Sequence, residues 1–245
     1  MARQETANVI INRVAIEVGL SQVADPVADA DKAFEQLTGL LTAAGQELVE
    51  LHQWQVLRQE IQFTTVVPSD DGVYDLPDDF SYMIDQSGWD QTNNAPITGP
   101  LSPQDWSYLV GRDLVSQTIY ASFRIVENKL ELFPQPPANG IVMRFEYISR
   151  YWIQQAGENA PDEDTIQIGT DVVLYEPILI IKFLKVKFLE AKGFDSSAAR
   201  LEFETIFNSR TGKDVGAPIL NAGSNSRTFP YLHPYRNIGD TGYGT

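Results

Sequence analysis

The sequence predicts an α+β protein: a helical bundle built from N-terminal and C-terminal helices, with an inserted small antiparallel β domain and an extended C-terminal arm. Three observations predict it. Apolar residues recur at steps of three and four near both ends of the chain, in 6–51 and 171–210. Between them the period falls to two, with β-branched and aromatic residues in short runs. From Gly216 onward there is no sustained period. The expected boundaries are 1–58 and 169–213 for the two parts of the bundle, 59–168 for the β domain and 214–245 for the arm.

The stretch from Asp171 to Arg210 is the expected centre of the core. Leu174, Ile178, Ile181, Leu184 and Phe188 fall on one helical stripe, and Ile180 and Phe183 widen it. Lys182, Lys185, Lys187 and Lys192 fall in the later turns, where cations suit the negative end of the dipole. Gly193 ends this helix, and Asp195 or Ser196 caps a second over Ala198–Asn208 with Leu201, Phe203, Ile206 and Phe207 apolar. The result is a helical hairpin, too short and too interrupted by Lys182 to cross a membrane.

At the front, Ala7, Ile11, Val14 and Val18 align in a helix from about Thr6, which Gly19 ends. A longer helix starts near Asp31, with Phe34, Leu37, Leu41, Ala44, Leu48 and Leu51 on one face; Gly45 weakens it without ending it. In the middle, Ile61–Val67 alternates as a strand, Ser69–Gly72 turns, and Val73–Leu76 returns. A second hairpin pairs Thr118–Val126 with Lys129–Phe133 across Glu127-Asn128. Pro134, Pro136 and Pro137 end it by removing backbone donors. Ile141–Ile148 alternates again, and a short helix runs from Ser102 through Trp106 to Val110.

The 245 residues carry 18 basic and 33 acidic side chains, a formal charge of −15. Such a surface repels nucleic acid and anionic membrane rather than gripping phosphates. With no cysteine, neither a disulfide framework nor a thiolate metal site is possible. The N-terminus lacks the basic and apolar regions of a signal peptide.

Catalytic patterns are scarce. The two histidines, His52 and His233, lie far apart in sequence, and no serine sits in a nucleophile elbow. His52 at the end of a helix reads as a packing or capping residue. No phosphate-cradling glycine pattern occurs, and Asp29 and Asp31 are not followed by the glycine and glutamate of a calcium loop. Asp70, Asp71, Asp75, Asp78 and Asp79 could serve a carboxylate-dependent hydrolase or bind a divalent ion. Their turn-forming neighbours Gly72 and Pro77 favour a purely local role. Asp162, Glu163 and Asp164 read as an exposed acidic loop. Trp89, Trp106, Tyr108, Tyr151 and Trp152 could stack on a sugar or base, but cores and subunit interfaces use such residues more often. No catalytic residue, cofactor or metal is expected.

The tail differs from the body. Residues 216–245 hold Arg227 and Arg236 against Asp240, a net +1, and carry Phe229, Tyr231, His233, Tyr235 and Tyr243. Two readings stand for it, an arm that orders against a partner and an ordinary mobile terminus.

The run Tyr74-Asp75-Leu76-Pro77-Asp78-Asp79-Phe80, followed by Trp89, Pro100-Leu101 and Trp106, resembles the head-to-tail adaptor family of tailed phages, which includes the tail tubular protein A type. The junction Lys192-Gly193-Phe194-Asp195 is similar to that family's hairpin, and the order of elements agrees over about residues 5–210. The resemblance implies a structural virion protein at the head-tail junction, made in the host cytoplasm. It further implies a ring of twelve copies under the portal protein, a tail tube or nozzle protein beyond, and double-stranded DNA passing through without sequence-specific binding. On this reading Phe229, Tyr231, His233, Tyr235, Arg236 and Tyr243 contact the portal or a neighbouring subunit. Another neck or tail-completion protein is the alternative.

Overall fold

The computed structural model describes residues 4–66, 72–111, 122–134, 137, 139–157 and 162–214. In chain order these form β1 (Glu5–Thr6), α1 (Ala7–Glu17), α2 (Lys32–Leu51), β2 (Arg58–Thr64), β3 (Val73–Asp75), β4 (Phe80–Met83), β5 (Trp89–Asp90) and β6 (Ala95–Pro96). Then follow α3 (Pro103–Gly111), β7 (Ser122–Val126), β8 (Lys129–Phe133), β9 (Val142–Ser149), β10 (Ile153–Gln154), β11 (Asp162–Glu163), β12 (Val172–Val173), α4 (Pro177–Ala191) and α5 (Ser197–Asp214). The class is α+β, as expected.

Two compact units result. The helical one takes the described residues of Met1–Gln59, Asp79–Tyr82 and Ile148–Ala217. Its helices are α1, α2, α4 and α5, so both ends of the sequence contribute. A small antiparallel sheet in the order β1-β12-β10-β11 ties them, with Glu5 opposite Val173 and Thr6 opposite Val172. Thr6 makes no side-chain cap on α1. Instead the orphan amides of Ala7 and Asn8 donate to the carbonyls of Asp171 and Gly169, at 2.8 and 2.9 Å. α2 begins where the sequence suggested, and the Asp31 carboxylate caps it by accepting from the Ala33 amide.

The core of this unit joins Ile10, Ile11 and Val14 of α1, Leu37, Leu41 and Leu48 of α2, and Ile180 and Leu184 of α4, all fully buried. Trp152 and Tyr175 stack 5.9 Å apart beside Gly45, and Trp54 meets Tyr175 edge-on at 5.8 Å. Their polar ends are satisfied: Trp152 donates to the Asp164 carbonyl, Trp54 to Leu48 and Tyr175 to Gly45. Buried Asp171 accepts from the amides of Ala156, Gln167 and Ile168 and so shapes the loop before β12.

Several expectations need correction here. Val172-Val173 is a strand, and Leu174 precedes α4, which begins at Pro177. Ile178 is exposed whereas Leu179 and Ile180 are buried, because α4 packs against several neighbours and no single stripe describes it. Leu51 and Leu201 are also exposed. Lys182, Lys185 and Lys187 do not serve the dipole of α4. They pair across to other helices, Lys182 with Glu17 and Glu202, Lys185 with Glu17, Lys187 with Glu47. Asp162 and Glu163 form a strand rather than an exposed loop. Gly193 does end α4, with a left-handed φ of 72°. The Asp195 carboxylate accepts from Ser197 at the start of α5, which runs on to Asp214.

The second unit takes the described residues of Glu60–Asp78 and Met83–Tyr147. In one sheet β9 lies between β2 and β5, with β6 outside β5; in another the order is β3-β8-β7. The hairpin β7–β8 turns on Glu127 and Asn128, both with positive φ, as a two-residue turn that matches strand twist requires. The hairpin expected between 61–67 and 73–76 does not form, since β2 and β3 belong to different sheets and β3 pairs with β8. Alternation along β9 buries Met143, Phe145 and Tyr147, and Phe145 meets Phe123 and Phe63 at 5.1 and 6.1 Å. The Ser102 hydroxyl caps α3 by accepting from the Asp105 amide and donates to the Asp105 carboxylate, and Trp106 is buried under the Arg124 guanidinium.

Candidate functional site

The arm residues singled out in the sequence (Phe229, Tyr231, His233, Tyr235, Arg236 and Tyr243) lie outside the described residues, as do Asp70 and Asp71. The structure does describe the root from which the arm leaves. α5 ends at Asp214, whose carboxylate accepts from the Gln55 amide at 3.0 Å and faces His52 Nε2 at 3.2 Å. The Gln55 side chain in turn donates to the Asp214 carbonyl. His52 is the C-cap residue of α2 and meets Trp54 edge-on at 4.8 Å, in keeping with a packing and capping role. Trp54 also meets Phe207, about two turns before the end of α5, so aromatic contact and the hydrogen bonds at Asp214 together hold the C-terminal half of that helix.

Around this root the helical unit leaves apolar side chains in water. A cleft of about 510 Å³ opens between α1, the start of α4 and the end of α5. Ile16 and Ile178 are 55% and 43% exposed there. Its charges are already matched, Arg13 with Glu5, Lys182 with Glu17 and Arg210 with Glu176. Burial alone would raise the Glu17 carboxyl; hydrogen bonds from Lys185 and Lys182 outweigh that and hold it below its usual range. At the other end of the hairpin Phe194 and Leu201 are also exposed.

Among the described residues the acidic side chains singled out in the sequence are spread over separate elements. Asp75 is exposed on β3 and pairs loosely with Lys129 at 3.3 Å. Asp78 is exposed in a turn, and the Asp79 carbonyl accepts from the Arg150 amide. Burial, and then the charge of Asp79, raise the Asp162 carboxyl. Among the described residues no three histidine, aspartate or glutamate side chains are grouped so as to hold a metal ion. Trp106 and Trp152 are core residues, while Tyr108 is exposed on α3. Among the same residues no helix is long and apolar enough to cross a membrane.

An α+β protein whose cleft charges are already paired, and whose apolar side chains Ile16, Ile178 and Val56 are left open near the end of α5, has the features of an assembly component. The family model of the SU10 adaptor protein matches residues 6–218, and the chain belongs to that family of phage head-to-tail adaptors. It is therefore a phage structural protein. A search of curated proteins gave no significant match. The short motifs on which the sequence resembled an adaptor, Tyr74–Phe80 and Lys192–Asp195, fall inside the matched residues; the cleft was not legible, because no sequence pattern announces Ile16 beside Ile178.

Proposed function

We propose that this protein is the adaptor ring at the head-tail junction of its virion. Twelve copies sit under the portal protein, join the capsid to the tail tube or nozzle, and continue the DNA channel. The observation that carries the reading is the family match over residues 6–218. A formal charge of −15 fits a channel through which double-stranded DNA slides without being held. A closed ring uses heterologous contacts, one patch against a different patch of the next copy. Phe229, Tyr231, His233, Tyr235, Arg236 and Tyr243 supply the docking contacts to the portal or to a neighbouring subunit. Aromatic and arginine side chains are what such anchors commonly employ.

Native mass spectrometry of the protein alone and mixed with the portal of its own phage tests this. The expected result is a stoichiometric ring on the portal. A protein that ignores the portal at every concentration overturns the reading.

A further inference from the structure

Two cavities of the helical unit lie side by side where α5 ends. The larger is the cleft holding Ile16 and Ile178. The smaller, about 190 Å³, includes Val56 and Asp214 itself. Glu176 and Arg210 line both, so their 3.1 Å ion pair is the shared wall. A charged ligand entering the larger cleft would have to compete with an existing pair. An uncharged apolar segment would cover Ile16, Ile178 and Val56 without disturbing any of them.

The chain itself carries such a segment next to the site. After Asp214 it continues Val215-Gly216-Ala217-Pro218-Ile219-Leu220, six residues with no charged or hydrogen-bonding side chain. Gly216 and Pro218 are residues that stop a helix and let the chain reverse. Arg210 stands about one helical turn, or roughly 6 Å, before Asp214. Six extended residues reach about 20 Å, enough to pass the shared wall. The hydrogen bonds from Gln55 and the contact with His52 hold Asp214 at the mouth of the smaller cavity, so the segment starts beside its seat. The family match also runs to residue 218, beyond the end of α5 at Asp214.

We propose that residues 215–220 fold back over these two cavities of their own chain, as an intramolecular strap covering Val56, Ile178 and Ile16. Direct tethering gives this segment an effective concentration of the order of millimolar, which favours it over the same segment of a second copy. The aromatic part of the arm then departs from this face of the helical unit. The strap is independent of any portal.

The absence of cysteine makes a clean test possible. Ile178→Cys places one thiol at an exposed position in the first turn of α4. In the full chain its maleimide labelling should be roughly tenfold slower than in a chain ending at Asp214, as for a segment docked with an equilibrium constant of about ten. Ile219→Asp with Leu220→Asp in the full-length protein should restore the fast rate, and Ile16→Cys serves as a second reporter on α1. Oxidation of an Ile178→Cys, Leu220→Cys protein should give a disulfide within one chain. Equal labelling rates with and without the segment overturn the proposal. So does protection that grows with protein concentration, or a disulfide that joins two chains, since the occupant is then a second copy.

Discussion

The indole of Trp152 lies so close to the backbone of Gly45 that a methyl group on that residue would stand 2.2 Å from the ring. The glycine in the middle of α2 therefore makes room for the largest buried side chain of the helical unit, and its carbonyl accepts from Tyr175 as well. Helix propensity alone would favour alanine there.

Two alanine substitutions in this helix should move stability in opposite directions. At Gly39, which has open space around it, Gly39→Ala should stabilise by up to about 1 kcal/mol. Gly45→Ala should destabilise by about 2 kcal/mol, because the overpacked indole must shift. Urea denaturation of the two variants checks this, and in a Trp152→Leu background the cost at Gly45 should shrink.

Removing the buried carboxylate of Asp171 leaves three backbone amides without their acceptor. Asp171→Ala should cost about 3 kcal/mol of stability. Hydrogen exchange should show the loss first at Gln167 and Ile168, and then at Ala7, which donates to the Asp171 carbonyl.

Acid should weaken the link between α1 and α4. Glu17 titrates below its ordinary value of 4.5, so its contribution is complete above that pH and is lost as pH falls through the lower, folded-state pKa. Because the group is partly exposed, the contribution is under about 1 kcal/mol. Glu17→Gln should therefore be less stable than the parent at neutral pH, and the difference should vanish in acid. Thermal melts at a series of pH values test the convergence.

The arm should separate docking from folding. Tyr231→Ala with Tyr235→Ala should leave the melting temperature unchanged and lower portal affinity at least tenfold, a loss of about 1.4 kcal/mol. Sedimentation with the portal measures it; unchanged affinity would remove these side chains from the interface.

Local signals in the chain were read well where the physics is local. Asp31, Gly193 and the Glu127-Asn128 turn act through neighbours two to four residues away, and each stands where the sequence placed it. Pairing between distant segments was less legible. Strand β3 alternates as well beside β2 as beside β8, and the aromatic packing of Phe63 with Tyr74 and of Phe123 with Phe145 shows how the sheets share a core. The exposure of Ile178 is of the same kind, because a helix touched on several sides loses its single stripe. Of the candidate site, the aromatic residues expected in the arm lie outside the described residues. The cavities at its root depend on α1, α4 and α5 meeting, and periodicity says nothing of that.

The first helix borrows its cap from carbonyls some 160 positions later in the chain, at Gly169 and Asp171. On the ribosome this imposes an order of events. The helices at the front can meet each other but must wait for β12 and α4 while the middle strands emerge, and β2 to β9 find their partners among themselves first. At a synthesis rate of roughly 5–20 residues per second the wait lasts about ten seconds or more. Closure of the helical unit is thus a late step, timed by translation of α4 and α5, and a chain cut short before them would leave the front helices as bait for chaperones.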